Sequence, residues 1–267
     1  MLKIELVSLR SSLKWQKRHS IFVDIINHSS SDIILFCGHS LIKEDEVYSL
    51  EQEIANKDVT VLFEVREIEE SDFVKFKHGL FMVEQGKPRN LFTNQLFSTH
   101  GELDNNEMLC ERFIQELENK RHFVIKEKRI LILQCGELNI IKNLQGKENQ
   151  PIFRIPQRED LQARFEKLLE ETDIVFNPIH TPMGNQGKMH KRRELLSANN
   201  RFYFSVSQNG ERKIEAHSLQ YAYHNGKELN ENNIEVTDDY QILYIQDRSA
   251  ISGVEKDIPL CMTQRFW

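Results

Sequence analysis

The stretch Arg129 to Gln134 (RILILQ) is almost continuously apolar and is followed at once by Cys135-Gly136-Glu137. Such a run reads as a strand buried on both faces, so it delivers a cysteine to its C-terminal edge. Open α/β sheets bind ligands at the carboxyl ends of their strands. A tight turn after the cysteine needs a residue free of Cβ clashes, which Gly136 supplies. Amides freed at that turn, or at the start of a following helix, lower a thiol pKa and can hold an oxyanion. The pattern is that of a nucleophile presented on a turn, with Glu137 beside it. The bland alternative is a buried strand-end cysteine, since free cysteine is among the most buried residue types.

The elements that must position such a turn follow from periodicity. Leu2 to Leu9 alternates and predicts a strand. Trp15 to Asn27 places Trp15, Phe22, Ile25 and Ile26 on one helical face. Ile33 to Cys37 reads as a buried strand, Glu46 to Asn56 as a helix, and the β-branched Val59 to Val65 as a strand. This β-α-β-α-β order makes a parallel sheet with covering helices. His78 to Glu84 and Arg89 to Phe97 flank a Gly/Pro turn and predict a hairpin. Met108 to Leu117 predicts a helix, and residues 142–158 a long polar loop, a candidate lid or partner-binding insertion. Then come a helix at Leu161 to Glu171, a strand from Asp173 to Asn177 stopped by Pro178, a helix at Lys191 to Asn199 and a strand at Phe202 to Ser207. Hairpin-like strands near Ser218 to His224 and Gln241 to Ile245 complete a second half that repeats the first in style.

In order and spacing the chain resembles the nitrilase, or carbon–nitrogen hydrolase, superfamily, from Leu2 to about Asp247. The residues that carry the resemblance are Cys135-Gly136-Glu137 after RILILQ, DIVFNP (Asp173 to Pro178), and RRELLSANNRFYFSVSQNG (Arg192 to Gly210). His217-Ser218-Leu219 and the turn Asn225-Gly226-Lys227 add to it. The resemblance implies an α/β fold, a four-layer α-β-β-α sandwich in one domain over residues 1–267, and pairing of copies through helices near the cleft. The helix at 161–171 and the terminal Phe266 and Trp267 are the expected contact surfaces.

The resemblance also implies a Glu-Lys-Cys triad, in which a carboxylate takes the thiol proton and a lysine stabilises the tetrahedral intermediate. Cys135 matches the nucleophile. Where the family has its glutamate this chain has Cys37-Gly38-His39-Ser40, and where the lysine belongs it has Leu91-Phe92-Thr93-Asn94-Gln95. Glu102 fits a further acidic position of the family. His39 is a candidate base for a Cys–His dyad, or else a loop histidine. Asn94 is a candidate oxyanion donor without charge. Glu64 and Glu67 either lean into the cleft or sit on a solvated strand end.

Lys+Arg is 35 against Asp+Glu 41, a net charge of −6, so no global attraction to nucleic acid or anionic lipid is expected. The basic run Lys188 to Arg193 reads as a solvated helix start rather than a phosphate site. Cys37, Cys110, Cys135 and Cys261 form no CxxC pair, and His180 and His190 have no third ligand at metal spacing, so neither metal nor cofactor is expected. No apolar run is long enough to span a bilayer and the start is not a signal peptide, so the expectation is a cytoplasmic chain. The expected partners are a small amide or related ligand and further copies of the chain. Two function classes stay open. One is a degenerate, non-catalytic ligand-binding or assembly module that retains the cysteine, to which the loss of two triad members points. The other is a cysteine-dependent amidohydrolase with a rearranged triad of Cys135 and His39.

Overall fold

The alternating start folds as β1 (Lys3–Leu9), followed by α1 (Trp15–His28), β2 (Ile33–Phe36), β3 (Leu41–Lys43) and α2 (Asp45–Glu53). Next come β4 (Thr60–Glu70), β5 (Phe73–Glu84), β6 (Lys87–Asn94), the single turn α3 (His100–Leu103) and α4 (Glu107–Glu116). A wide helical turn, Leu117–Arg121, leads into β7 (His122–Ile125) and β8 (Lys128–Ile132), and a tight one, Cys135–Ile140, into β9 (Ile141–Asn143) and β10 (Pro151–Phe153). The rest is α5 (Glu159–Glu170), β11 (Ile174–Ile179), α6 (Gln186–Leu196), β12 (Phe202–Ser207), β13 (Gln220–His224), β14 (Lys227–Glu228), β15 (Ile234–Val236) and β16 (Tyr240–Gln246). This computed structural model describes residues 2–70, 73–146, 148–182, 186–210, 219–230 and 233–246. The earlier readings at His217, Ser218, Cys261, Phe266 and Trp267 lie outside them.

Two mixed sheets form. The first runs β15-β16-β1-β2-β4-β5-β6, with β3 beside β4; the second runs β14-β13-β12-β11-β8-β7. Each has a parallel centre, β1-β2-β4 in one and β8-β11-β12 in the other. These centres carry the continuous apolar runs, as strands covered on both faces must. Ile130, Ile132, Phe176 and Phe204 of the second sheet share one buried cluster with Leu6, Leu35 and Phe63 of the first. Phe22, Ile26, Val47 and Leu50 of α1 and α2 join that cluster from outside the first sheet. Phe113, Ile114, Leu161 and Phe165 of α4 and α5 cover the second sheet from its other side, with Leu131 and Val175. The fold is mixed α/β, and this packing agrees with the α-β-β-α layering that the resemblance implies. Among the described residues no helix is long and apolar enough to cross a membrane.

Several local expectations change. Trp15 is 51% exposed, and Arg18 is buried on α1 instead. The Arg18 guanidinium donates to the carbonyls of Arg10 (2.8 Å), Ser11 (3.0 Å) and His39 (3.0 Å), a job an indole cannot do. Pro178 does not stop its strand: β11 continues to Ile179. Its ladder with β8 ends at Phe176 opposite Ile132, so on that side no partner asks for the N–H that proline lacks. The segment 142–158 is not a bare loop, because β9 and β10 pair antiparallel within it. The strand at Gln241 to Ile245 leaves the second half altogether: β16 joins the first sheet, antiparallel to β1.

Candidate active site

The C-terminal ends of the parallel strands of both sheets meet at one place. Leu133 extends β8 by donating to the Phe176 carbonyl at 2.9 Å. Cys135 then turns the chain with φ +24, in the left-handed region that favours glycine. Strain at such a position is held by its surroundings and is common at functional sites. Gly136 is needed for room, not for a positive φ. A Cβ there would collide with the Ser98 carbonyl. Ser98 is fixed in turn by Glu102, whose carboxylate accepts from the Ser98 N–H (2.9 Å), the Thr99 N–H (2.6 Å) and the Thr99 hydroxyl (2.9 Å). Glu102 thus caps α3 and holds the wall behind the cysteine.

Across from Cys135, β11 delivers His180. Its backbone N–H faces the Cys135 sulfur at 3.5 Å, and its imidazole also interacts with that sulfur. The ring Nε2 lies 2.7 Å from Oε2 of Glu64, a fully buried carboxylate on β4. The second oxygen of Glu64 accepts from Gln134 Nε2 at 2.7 Å, and the His39 N–H reaches Oε2 at 3.3 Å. Burial opposes charge on His180, but Glu64 and the Cys135 sulfur outweigh it and push the imidazole pKa up to about 10. Burial alone would raise Glu64, yet the His180 charge and hydrogen bond, helped by His39 and Gln134, hold it below the ordinary carboxylate value. The result is an imidazolium–carboxylate pair beside a sulfur. Gly38 makes it possible, because a Cβ there would strike His180 and Glu64.

His39 enters differently from the expected base. Its ring stacks on His180 with centroids 3.6 Å apart and planes at 15°. It is carried on a left-handed residue, φ +56, whose carbonyl accepts from Arg18 and Gln208. Glu137 is held by backbone amides and an arginine. It accepts from the Gln134 N–H (2.8 Å), the Leu96 N–H (2.8 Å) and Arg121 (2.5 Å), in a pair with no exposed surface on either partner. Arg121 also donates to Thr93 Oγ1 and to the Asn94 carbonyl, so Asn94 meets it through its backbone. Glu67 sits beyond an irregularity in β4, opposite Lys43. The other cysteines differ: Cys37 and Cys110 are buried, and burial pushes their thiols up to about 11 and about 12.

The site therefore gathers Cys135, His180, Glu64 and His39. Sequence reasoning weighed Glu64 only as one of two strand-end acids and His180 only as a metal ligand. The signal for His180 was the strand DIVFNPI aimed at the same edge as RILILQ, hidden by reading Pro178 as its end. His39, Glu64 and His180 also offer ligand atoms within 4.8 Å of one another, which is close enough to hold a metal ion. An ion would have to displace the proton that Glu64 holds on His180, since a histidine ligand must be neutral. The near-parallel rings also send their lone pairs side by side rather than to one point.

No family model and no curated relative matches the chain by sequence. Solved structures do match. A CN-hydrolase superfamily protein from Xanthomonas campestris, bearing an arsenic adduct in its active site, matches with TM-score 0.52 at 9% identity, over 92% of this chain and 92% of that one. An amidase from Nesterenkonia sp. matches with TM-score 0.53 at 9% identity, over 94% of both chains. A glutamine-dependent NAD(+) synthetase from Cytophaga hutchinsonii matches with TM-score 0.51 at 14% identity; 91% of this chain is covered but only 42% of that one, so this chain spans less than half of the synthetase. The chain has the fold of the CN-hydrolase (nitrilase) superfamily.

Proposed function

We propose that this chain is a cysteine-dependent hydrolase of carbon–nitrogen bonds, acting on a small amide through a rearranged triad of Cys135, His180 and Glu64. The observation that carries the reading is the continuous line from the Cys135 sulfur to the His180 imidazole and on to Glu64. An imidazolium beside a sulfur favours the thiolate, and a buried carboxylate that orients the ring is the logic of nucleophile–base–orienter triads. Sulfur attacks the amide carbon. The C–N bond breaks as His180 passes its proton to the leaving amine, giving a thioester. Water then attacks the thioester, His180 takes its proton, and the carboxylic acid leaves with Cys135 restored. His39, stacked on His180, fixes the plane of the ring. The solved amidase relatives support an amide as substrate class; one is a Cys-to-Ala variant in complex with butyramide.

A second reading is a ligand-binding or assembly module. It is favoured by the fate of the cation near Thr93 and Asn94, where the family would have a lysine. Arg121 reaches this place, but it is buried, donates to Thr93, Asn94 and Glu137, and has its charge matched by the Glu137 carboxylate. The deciding experiment follows ammonia release from a panel of small aliphatic amides, with Cys135→Ala as the blank. Acrylamide labelling is read alongside it by intact mass and peptide mapping. Turnover above the blank, with selective labelling of Cys135, supports the hydrolase. Ammonia release equal to the blank, with slow and equal labelling of all four cysteines, supports the module. In either case we propose that copies of the chain associate, which light scattering at tens of micromolar tests. The apolar face of α5 (Leu161, Phe165, Leu168, Leu169) is already buried in the chain's own core, so association through this helix would use its polar face.

A further inference from the structure

Beside the turn that starts at Cys135 lies a cavity of about 320 Å³, between that turn, β9 and the start of α6. Four cationic residues line it, Lys142, Arg154, Lys188 and Arg192, together with the amides of Asn139 and Asn143. Among the described residues no carboxylate lines it. In a chain of net charge −6 this local excess of one sign is specific to the place.

Arg192 is the informative residue. It is only 6% exposed, yet its guanidinium donates solely to neutral groups: Asn143 Oδ1 (2.9 Å), Asn139 Oδ1 (3.1 Å) and the Leu138 carbonyl (3.3 Å). Buried charges are normally paired. Arg154 donates to the Asn139 carbonyl, and its one ion pair is with the half-exposed Asp104 at 3.2 Å. Burial and the neighbouring Arg154 charge together pull Arg192 down to about 10. Two guanidiniums held near each other without a shared carboxylate would be relieved by an anion between them. Asn139 orients Arg192 through its side chain and Arg154 through its carbonyl, so the cradle is built and not a chance meeting of surface lysines.

We infer that this cavity binds a small, multiply charged phosphate-bearing anion. Guanidinium forks and ammonium groups converging on one point suit phosphate oxygens. Two guanidiniums with no carboxylate between them, flanked by two lysine side chains, suit a ligand with more than one charge. A volume near 320 Å³ is at the low end for small-molecule sites and far too small for a nucleic-acid strand. The basic run around Lys188 to Arg193 thus splits by face. Arg193 turns inward, its guanidinium 3.6 Å from the Tyr221 ring centroid, while Lys188 and Arg192 line the cavity.

The test is calorimetric titration of the full-length chain with pyrophosphate, inorganic phosphate, glycerol 3-phosphate and succinate, at matched ionic strength set with sodium chloride. Saturable binding is expected, with pyrophosphate tighter than phosphate. Lys142→Gln should weaken pyrophosphate about tenfold or more, the loss of one charge-assisted contact, and Lys188→Gln likewise. Equal affinity for glycerol 3-phosphate and phosphate assigns the free ion; a preference for the ester assigns a phosphorylated metabolite. Heat no different from that of sodium chloride alone, succinate binding as tightly as pyrophosphate, or wild-type affinity in both lysine variants would overturn the inference. Cys135→Ala should bind as the wild type does, so failure here is distinct from failure of the amide reading.

Discussion

Glu64 and His180 belong to different sheets, and their side chains meet at 2.7 Å where the ends of the two parallel centres face each other. Glu64 comes from β4, next to the β2 strand that leads to His39, and His180 comes from β11, next to the β8 strand that leads to Cys135. The pair is thus a contact between layers, and it depends on both sheets holding their relative position.

This placement separates the two histidines by role. Replacing His180 by Ala removes the group between sulfur and carboxylate, and amide turnover should fall roughly 100- to 10 000-fold. Replacing His39 by Ala removes only the stacked ring and should cost about tenfold or less, the scale of an aromatic contact. Steady-state ammonia release and iodoacetamide labelling of Cys135 in the two variants check the order. A larger loss in His39→Ala would return the base to His39.

The same pair makes stability depend on pH. His180 is raised from 6.5 to about 10, so its contribution is fully present below about pH 6.5 and is lost as pH climbs toward 10. Glu64 is lowered from 4.5, so its contribution is present above that value and is lost as pH falls below it. Thermal unfolding of the wild type should weaken on both sides of this window. In Glu64→Gln the imidazole loses the partner that raises it, so its folded and unfolded values draw together and the decline between about pH 6.5 and 10 should shrink or vanish. An unchanged alkaline limb in that variant would contradict the pairing.

Gly136→Ala should destabilise the fold by about 1–3 kcal/mol, the usual cost of overpacking, because the added methyl meets the Ser98 carbonyl and not a flexible side chain. Denaturant unfolding measures this. Gly101, which has open space around its Cβ position, is the matched control, and Gly101→Ala should be near neutral.

Breaking the Arg121–Glu137 pair should cost more than removing it. Arg121→Met strands a carboxylate with no exposed surface, a loss of about 3–5 kcal/mol. The double variant Arg121→Met, Glu137→Gln should recover part of that, since no charge is then left buried. Chemical denaturation of the wild type, Arg121→Met, Glu137→Gln and the double variant closes the cycle.

The strand exchange through β16 and the cluster shared by the two sheets lead us to expect one cooperative unit. A single transition in calorimetry, with equal van't Hoff and calorimetric enthalpies, is the expected result; a proteolytic fragment that ends near residue 100 and folds alone would contradict it.

Much of the frame was legible because burial writes itself into composition. RILILQ, IILFC and FYFSVS are apolar runs that form strands covered on both faces. Cys135 was legible for the same reason, as the first residue past such a run. What failed was local and short. β9 and β10 have three residues each, too few to show a period. Arg18 and Trp15 exchanged places because hydropathy cannot foresee a guanidinium that satisfies three loop carbonyls. His180 was not placed beside the cysteine from sequence, and the reason is topological. Which strand ends converge is a property of the two sheets together, and neither sheet's own pattern contains it.

Because β1 pairs with β16, with Lys3 opposite Gln246, β1 is made long before the partner that covers it. At roughly 5–20 residues per second of synthesis, that interval is on the order of tens of seconds. Throughout it β1 is an edge, a row of open amides and carbonyls that any passing strand could join. Glu5 sits in the middle of that edge, and once folded it is 3% exposed and accepts from the hydroxyls of Ser29 and Ser31 at 2.8 Å. A carboxylate that must be matched by two hydroxyls from the loop before β2 admits the native neighbours and penalises a foreign one. Seen from the nascent chain, Glu5 is a guard on an unfinished sheet, set in place long before the strand that relieves it.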